Sequence, residues 1–261
     1  MNIYPGEKKP YIFAHRGCSK AAPENTLAAF EEALNQKIPG VELDIHLCNS
    51  GELVVTHDDN VKRVTGFDGI VEELSYTELK KLDAGNWKGP QFSGEKLPLL
   101  EDVFDLLGSS VYYDIEIKSR KTVSSGLEEK LAALIANRGL EERCIVSSFN
   151  PMALKFFKKS APHIPTAIIY CNDGELPPYL RHGEGKWIAS ADILKPDYKK
   201  INRTSMFFNH TIGRRPILPW TIDDPETAVK LIKLGVEGII SNDPASIIIA
   251  LGIWAGIKED R

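Results

Sequence analysis

Two acidic residues, Glu42 and Asp44, are separated by one position within an apolar run that predicts a β-strand. Side chains alternate between the two faces of a strand, so both carboxylates share one face, and Val41, Leu43 and Ile45 take the other. Two carboxylates on one face repel each other unless a proton or a cation lies between them. Oxygen ligands favour Mg²⁺ or Ca²⁺ over zinc, so the pair predicts a site for one hard divalent ion. The alternative is a polar pair at the strand end that water solvates.

A second charged group, Asp114, Glu116 and Lys118, is also spaced by two and therefore shares one face of a later strand. Glu116 can add a third carboxylate to the first pair. Three carboxylates around a divalent ion leave one negative charge, which would repel an anionic phosphodiester. Arg16 and Lys118 reverse that balance and would stabilise charge on phosphoryl oxygens. Alternatively, Lys118 simply pairs with Asp114 or Glu116.

Two histidines follow predicted strands. His15 and Arg16 come directly after the apolar run 11–14, and His57 follows the segment 52–56. Phosphodiester cleavage needs one group to deprotonate the attacking oxygen and another to protonate the leaving alcohol, and imidazole titrates close to neutrality. The pair therefore predicts acid–base catalysis. The alternative for the first site is a capping histidine beside a solvated arginine.

Two aromatic residues, Phe149 and Trp220, follow later predicted strands. They are predicted to line a substrate pocket and to contact a glycerol moiety. The alternative is that both belong to the core, as large aromatic side chains more often do.

The elements that must position these residues are eight short β-rich runs that alternate with helix-like segments. The predicted strands are residues 11–14, 41–46, 111–118, 144–148, 166–170, 187–191, 217–222 and 238–241. This order predicts a parallel sheet of the α/β class, closed as a TIM (β/α)8 barrel whose functional groups lie at the carboxyl ends of the strands. Asn25 is predicted to start a helix over residues 26–33.

The predicted domain organisation is a single phosphodiesterase barrel over residues 1–261. The interval of about 58–108 is longer than a βα loop and rich in Gly, Asp, Lys and Glu, which predicts an inserted subdomain.

Composition excludes several functional classes. A net charge of −4 argues against a dedicated nucleic-acid binder. Residues 1–10 show no apolar signal region, and the apolar stretch 247–257 is too short to span a bilayer, so it predicts a buried terminal helix and no stable membrane insertion. The four cysteines lack paired spacing, which favours a reducing cytoplasm: Cys18, Cys48, Cys144 and Cys171.

Taken together, these residues closely resemble the glycerophosphodiester phosphodiesterase family. The resemblance covers nearly the whole chain and rests on segments that recur in the family's order: His15-Arg16-Gly17, Pro23-Glu24-Asn25-Thr26, Val41-Glu42-Leu43-Asp44, Leu53-Val54-Val55-Thr56-His57-Asp58, Arg63-Val64-Thr65-Gly66, Glu116-Ile117-Lys118, Trp220-Thr221 and Gly235-Val236-Glu237-Gly238-Ile239-Ile240.

The resemblance implies a TIM barrel with a small insertion after the second strand. It also implies metal-dependent hydrolysis of glycerophosphodiesters, such as glycerophosphocholine or glycerophosphoethanolamine, to glycerol 3-phosphate and an alcohol. When the family's roles are carried over by position, the resemblance implies that the acid–base pair is His15 and His57 and that the metal ligands are Glu42, Asp44 and Glu116. It implies that Arg16 and Lys118 are the phosphate-binding cations. It also implies that Glu24 and Asn25 order the first loop.

Several positions depart from the family pattern. Asp114 and Asp223 stand where Asn is usual, and Asn242 stands where an acid is expected. Residues 48–51 replace a common Thr-x-Asp-Gly turn. These changes leave the proposed catalytic groups in place and bear on metal preference and headgroup selectivity.

Two alternative functions stay open at this point. One is a non-catalytic barrel that binds glycerophosphodiesters. The other is a phosphodiesterase of the phospholipase or lysophospholipase type that acts at a membrane surface, which predicts an exposed apolar or basic rim. The sequence also leaves open whether water or the substrate's glycerol 2-hydroxyl attacks, and whether the chain forms oligomers.

Overall fold

The strands form where short apolar runs lie between polar turns. The computed structural model describes residues 3–4, 6–174 and 176–252. Its strands are β1 (Tyr11–His15), β2 (Gly40–Leu47), β3 (Leu53–Val55), β4 (Tyr112–Ile117), β5 (Cys144–Ser148), β6 (Thr166–Tyr170), β7 (Ile193–Pro196) and β8 (Gly238–Ser241). Its α-helices are α1 (Leu27–Asn35), α2 (Lys62–Thr65), α3 (Tyr76–Leu79), α4 (Leu100–Leu107), α5 (Leu127–Asn137), α6 (Pro151–Ser160), α7 (Gly185–Ala189), α8 (Arg203–Met206), α9 (Pro225–Leu234) and α10 (Pro244–Ala250).

The sheet is parallel in the order β7-β6-β5-β4-β2-β1-β8, and β3 pairs antiparallel with β2. Residues 217–222 lie between β7 and β8, where the amide of Leu218 donates to β7 and that of Ile222 donates to β8. Pro216 and Pro219 have no amide hydrogen, so this predicted strand makes isolated bridges instead of a continuous ladder. It nevertheless completes the ring of strands, and the predicted TIM barrel is confirmed.

The predicted strand at residues 187–191 is wrong, because this segment begins within α7 and the strand follows at β7. Trp187 and Ile188 made the run look β-like, but their side chains are exposed on the surface of the protein. The true strand was hidden because its third residue, Lys195, is charged and yet almost fully buried. A charge in the middle of a core strand breaks the apolar pattern on which strand prediction depends.

The side chains that point into the barrel form two layers of different chemistry. The lower layer is aromatic and apolar, and Tyr4 stacks there on Tyr112 with ring centroids 4.5 Å apart. Tyr11 and Phe13 of β1 join this cluster. The upper layer is polar because the next inward-facing positions along β2 and β4 are occupied by Glu42, Asp44, Asp114 and Glu116.

The loop between β1 and α1 is tied to the barrel by Asn25. The predicted helix start is wrong by one residue, because Thr26 caps α1 by accepting a hydrogen bond from the amide of Ala29. Asn25 instead adopts a φ of 57° and its Nδ2 donates to Oδ2 of Asp44 at 2.9 Å. This residue therefore orders the first loop against β2.

A small apolar cluster lies under the segment that joins β3 to α4. It includes Val61, Val64 and Leu79, which pack with Val54 of β3 and are separate from the main core. Short helices, including α2 and α3, build this segment. Its division from the barrel as a subdomain at about 58–108 stays a prediction.

The carboxyl-terminal helix α10 buries Ile247 and Ile248. The rest of the predicted helix at 247–257, from residue 253 onward, lies outside the described residues. In the described part of the chain, every helix is too short or too polar to cross a lipid bilayer.

The tight packing of the lower layer can be tested at Gly40. A Cβ atom on this residue would lie 2.0 Å from the ring of Tyr112, inside a packed core. We expect Gly40→Ala to lower the free energy of unfolding by about 3 kcal/mol or more, because the ring has to move. Urea denaturation measures the loss. Gly174→Ala is the control, since a Cβ atom there would meet nothing within 4 Å, and equal stability of the two variants would contradict the packing.

Candidate active site

The carboxyl ends of β1, β2 and β4 bring the predicted site residues together. Strand pairing places His15 opposite Glu42, and places Asp44 opposite Glu116. Because neighbouring parallel strands end at the same edge of the barrel, residues far apart in sequence meet in one layer. The site is thus a direct result of strand register.

Three carboxylates form the centre of this layer. Glu42, Asp44 and Glu116 are all buried, and each offers an oxygen that lies within 4.8 Å of the others. Burial, reinforced by the neighbouring charge of Asp44, raises the pKa of Glu42 well above its usual range. A set of oxygen ligands whose negative charges are buried together fits a hard divalent cation, which would remove this repulsion.

Two cations contact the carboxylates. Nζ of Lys118 lies 3.0 Å from Asp44 and 2.6 Å from Glu116. Nε of Arg16 lies 3.3 Å from Oδ2 of Asp44, but it is not aligned for a hydrogen bond. Burial alone would raise the pKa of Asp44, but Lys118 and Arg16 hold it well below its usual range. From the sequence, the partner of Lys118 was expected to be either Asp114 or Glu116. In the structure Lys118 pairs with Glu116 and also with Asp44.

His15 is held in one orientation by Asn242. Its Nδ1 lies 2.7 Å from Oδ1 of that amide, whose Nδ2 donates to Asp223. Because the carboxylate of Asp223 can only accept, Oδ1 faces the histidine, so Nδ1 donates and Nε2 carries the lone pair. Nε2 lies 3.9 Å from Glu42. Burial and the charge of Arg16 lower the pKa of His15 to about 4.

His57 lies at the other side of the site, two residues after the end of β3. Its Nδ1 is 2.6 Å from Oδ1 of Asp58. A carboxylate oxygen accepts, so in the neutral ring Nδ1 carries the hydrogen and Nε2 carries the lone pair. Its side chain is 33% exposed, which leaves the ring accessible from solvent.

Lys195 is a site residue that the sequence analysis missed. Its Nζ lies 2.6 Å from Oδ2 of Asp114 and donates to Ser147 at 3.0 Å. It also lies 4.0 Å from Glu42. Burial opposes its charge, but Asp114 and Glu42 raise the pKa of Lys195 above its ordinary value. The signal that could have found it is a lysine placed directly after two apolar residues, Ile193 and Leu194.

A pocket of about 810 Å³ opens beside these groups at the barrel mouth. It is lined by His15, Arg16, Glu42, His57, Glu116 and Lys118, and also by the two aromatic residues predicted as its walls, Phe149 and Trp220. The rings of Phe149 and Trp220 are perpendicular, with centroids 5.7 Å apart. The indole Nε1 of Trp220 donates to the backbone oxygen of Lys195, which fixes the ring.

The buried pair of Lys195 and Asp114 is open to a stability test. We expect Lys195→Met to lower the free energy of unfolding by about 3–5 kcal/mol, because it leaves the carboxylate of Asp114 buried without its cation. The double variant Asp114→Asn with Lys195→Met removes both charges and is expected to recover most of the loss. Chemical denaturation of both variants measures this. A double variant that is no more stable than the single one would contradict the charge pairing.

Comparison with known proteins places this geometry in a family. The chain is 41% identical over 244 residues to a glycerophosphodiester phosphodiesterase of Caldanaerobacter subterraneus, covering 92% of this chain and 97% of the relative. It is 33% identical over 240 residues to a glycerophosphodiester phosphodiesterase of Bacillus altitudinis, covering 89% and 94%. A solved phosphodiesterase of Oleispira antarctica, in complex with the product sn-glycerol-3-phosphate, superposes with a TM-score of 0.78 at 30% identity, covering 93% of this chain and 96% of that one.

The family match extends over almost the whole barrel, from the first histidine of the site to the last helix. Residues 15–246 match the glycerophosphoryl diester phosphodiesterase family. The resemblance inferred from the sequence is therefore confirmed, and the chain belongs to the glycerophosphoryl diester phosphodiesterase family of hydrolases.

Proposed function

We propose that this chain hydrolyses glycerophosphodiesters, such as glycerophosphocholine or glycerophosphoethanolamine, to glycerol 3-phosphate and a free alcohol. The observation that carries the proposal is one pocket lined by two buried carboxylates, Glu42 and Glu116, together with two cations and two imidazoles. The third carboxylate, Asp44, lies behind them with an oxygen within 4.8 Å of both. The glycerol phosphate bound to the Oleispira antarctica phosphodiesterase supports the substrate class.

One divalent ion, Mg²⁺ or Ca²⁺, is the proposed cofactor, held by Glu42, Asp44 and Glu116. Such an ion, when bound, would polarise the phosphodiester and offset its negative charge. The support is the all-oxygen set of ligands and the burial of all three carboxylates.

Arg16 and Lys118 are the proposed phosphate-binding residues. Nε of Arg16 is buried without a well-formed hydrogen bond, so it is a donor that a phosphoryl oxygen could satisfy. The ammonium group of Lys118 has three hydrogens and two carboxylate contacts, which leaves one hydrogen for the substrate. Both cations would stabilise the charge that develops on the phosphoryl oxygens.

His15 and His57 are the proposed acid–base pair. One imidazole deprotonates the attacking oxygen, which is either water or the glycerol 2-hydroxyl, and the other protonates the leaving alcohol. Each ring is bound through Nδ1, to Asn242 and Asp58 respectively, so each can present Nε2 to the reactants. Phe149 and Trp220 are proposed to contact the glycerol moiety at the pocket wall.

Metal dependence is tested by chelation and add-back. We expect EDTA to abolish release of glycerol 3-phosphate and either Mg²⁺ or Ca²⁺ to restore it, because the carboxylate cluster needs a counter-ion. Glu116→Gln should weaken metal binding more than about 10-fold in calorimetry. The exposed Glu101→Gln is the matched control. Full activity after exhaustive chelation would refute the metal role, and substrate binding without turnover would favour the non-catalytic barrel.

The acid–base assignment is tested by removing each imidazole. We expect His15→Ala and His57→Ala each to lower kcat by about 10²–10⁴-fold, the usual contribution of a general acid or base. The exposed His163→Ala is the control and should retain wild-type turnover. Wild-type activity in either site variant would rule out its role. Turnover of lysophospholipid vesicles alone would favour the lysophospholipase alternative.

A further inference from the structure

We propose that Arg63 is a positioning residue that holds both sides of the active site at once. It lies in α2, on the segment that follows β3. It does not itself line the pocket, but it contacts Asp58, which does. The proposal rests on the proposed function, since it assigns Arg63 to the support of His57 and Arg16.

The guanidinium of Arg63 makes three hydrogen bonds to two carboxylates. Nε donates to Oδ2 of Asp58 at 2.7 Å. Nη1 and Nη2 donate to the two oxygens of Glu24 at 2.9 and 2.7 Å, as a bidentate pair. A planar guanidinium fixes the direction of each bond, so the two carboxylates are held in a set orientation relative to each other.

Each of these carboxylates uses its remaining capacity on a proposed site residue. Oδ1 of Asp58 lies 2.6 Å from Nδ1 of His57. Oε1 of Glu24 accepts a hydrogen bond from Nη1 of Arg16 at 2.7 Å. One side chain therefore connects, through two carboxylates, the proposed acid–base histidine and the proposed phosphate-binding arginine.

Removal of the positive charge of Arg63 is expected to change the positions of Arg16 and His57. With Arg63 removed, Glu24 keeps a single cationic partner, Arg16, and is expected to draw it away from Asp44 and the pocket. Arg16 also has a φ of 57°, a backbone region that few residues other than glycine adopt, so its contacts have to hold it in place. Asp58 would lose its hydrogen bond from Nε of Arg63 and would therefore no longer fix the ring of His57.

Stability and catalysis are expected to separate at this residue. The side chain of Arg63 is 45% exposed, whereas Asp58 and Glu24 are 27% and 13% exposed. Because the arginine itself is open to solvent, we expect its ion pairs to add only about 1 kcal/mol to folding stability. A merely structural surface pair therefore predicts almost no change in turnover when it is removed. A positioning role predicts a loss of activity in a protein that still folds, because small misplacements of reacting groups are costly.

The test compares Arg63→Met with Lys62→Met. Lys62 is the adjacent cation of the same helix and pairs with Asp68, which is also exposed. We expect Arg63→Met to lower kcat/KM for glycerophosphocholine by about 10²-fold while the Tm stays within about 4 °C of wild type. We expect Lys62→Met to match wild type. Arg63→Lys should fall between them, because an ammonium group cannot form all three bonds.

Variants that remove only one of the two carboxylates bound by Arg63 separate its effect on His57 from its effect on Arg16. Asp58→Ala should act mainly on kcat through His57, and Glu24→Ala should act mainly on KM through Arg16. In a chain carrying both changes, adding Arg63→Met should have little further effect. Additive losses, or equal kinetics for Arg63→Met and Lys62→Met, would overturn the proposal. If Arg63→Met does not fold, the kinetics of Asp58→Ala, Glu24→Ala and Arg63→Lys decide the outcome.

A measurement without substrate separates this proposal from the proposed function. A hydrogen bond as short as that between His57 and Asp58 is expected to give a downfield Nδ1 proton resonance in ¹⁵N-histidine NMR. The resonance should be lost or shifted in Arg63→Met and kept in Lys62→Met. An unchanged spectrum in Arg63→Met overturns positioning even if turnover is seen, and a changed one supports it even if every glycerophosphodiester fails as a substrate.

Discussion

Buried negative charge at the barrel mouth governs the arrangement of the site. Four carboxylates enter the upper layer from β2 and β4, and three cations lie against them, namely Arg16, Lys118 and Lys195. The excess of one negative charge is costly because all four carboxylates are buried. A divalent ion would turn this excess into one positive charge, which suits an anionic phosphodiester. The polar contacts of the site therefore follow from the need to neutralise these acids.

The lower layer of the barrel contributes packing that stabilises the fold, and the upper layer carries the charged groups of the candidate site. The lower layer closes tightly, since Gly40 leaves the space that the ring of Tyr112 fills and Tyr4 stacks on the same ring. The upper layer could not be closed by apolar packing, because its inward positions carry charge. Glu42 and Asp114 lie one strand step above this aromatic floor, so the rigid packing below fixes the positions of the strands that carry the acids.

Much of the site could be predicted from the sequence, because period-two spacing on a strand determines which side chains share a face. Glu42, Asp44 and Glu116 were found in this way. Lys195 was missed because its strand contains a buried charge and does not look apolar. The contact of His15 with Asn242 was also missed, since it joins residues 227 positions apart and depends on barrel closure.

Three residues that depart from the family pattern, Asp114, Asp223 and Asn242, each contact a side chain of complementary chemistry. Asp114, an acid where an amide is usual, is neutralised by Lys195, so the extra carboxylate adds no net charge beside the cluster. Asp223 and Asn242 exchange an acid and an amide between neighbouring positions, and they hydrogen-bond to each other. Each of these three side chains is therefore satisfied by a direct contact within the layer. What the second exchange alters is the partner of His15, which becomes an amide oxygen where a carboxylate is expected, so its ring lacks the charged acceptor that His57 has in Asp58.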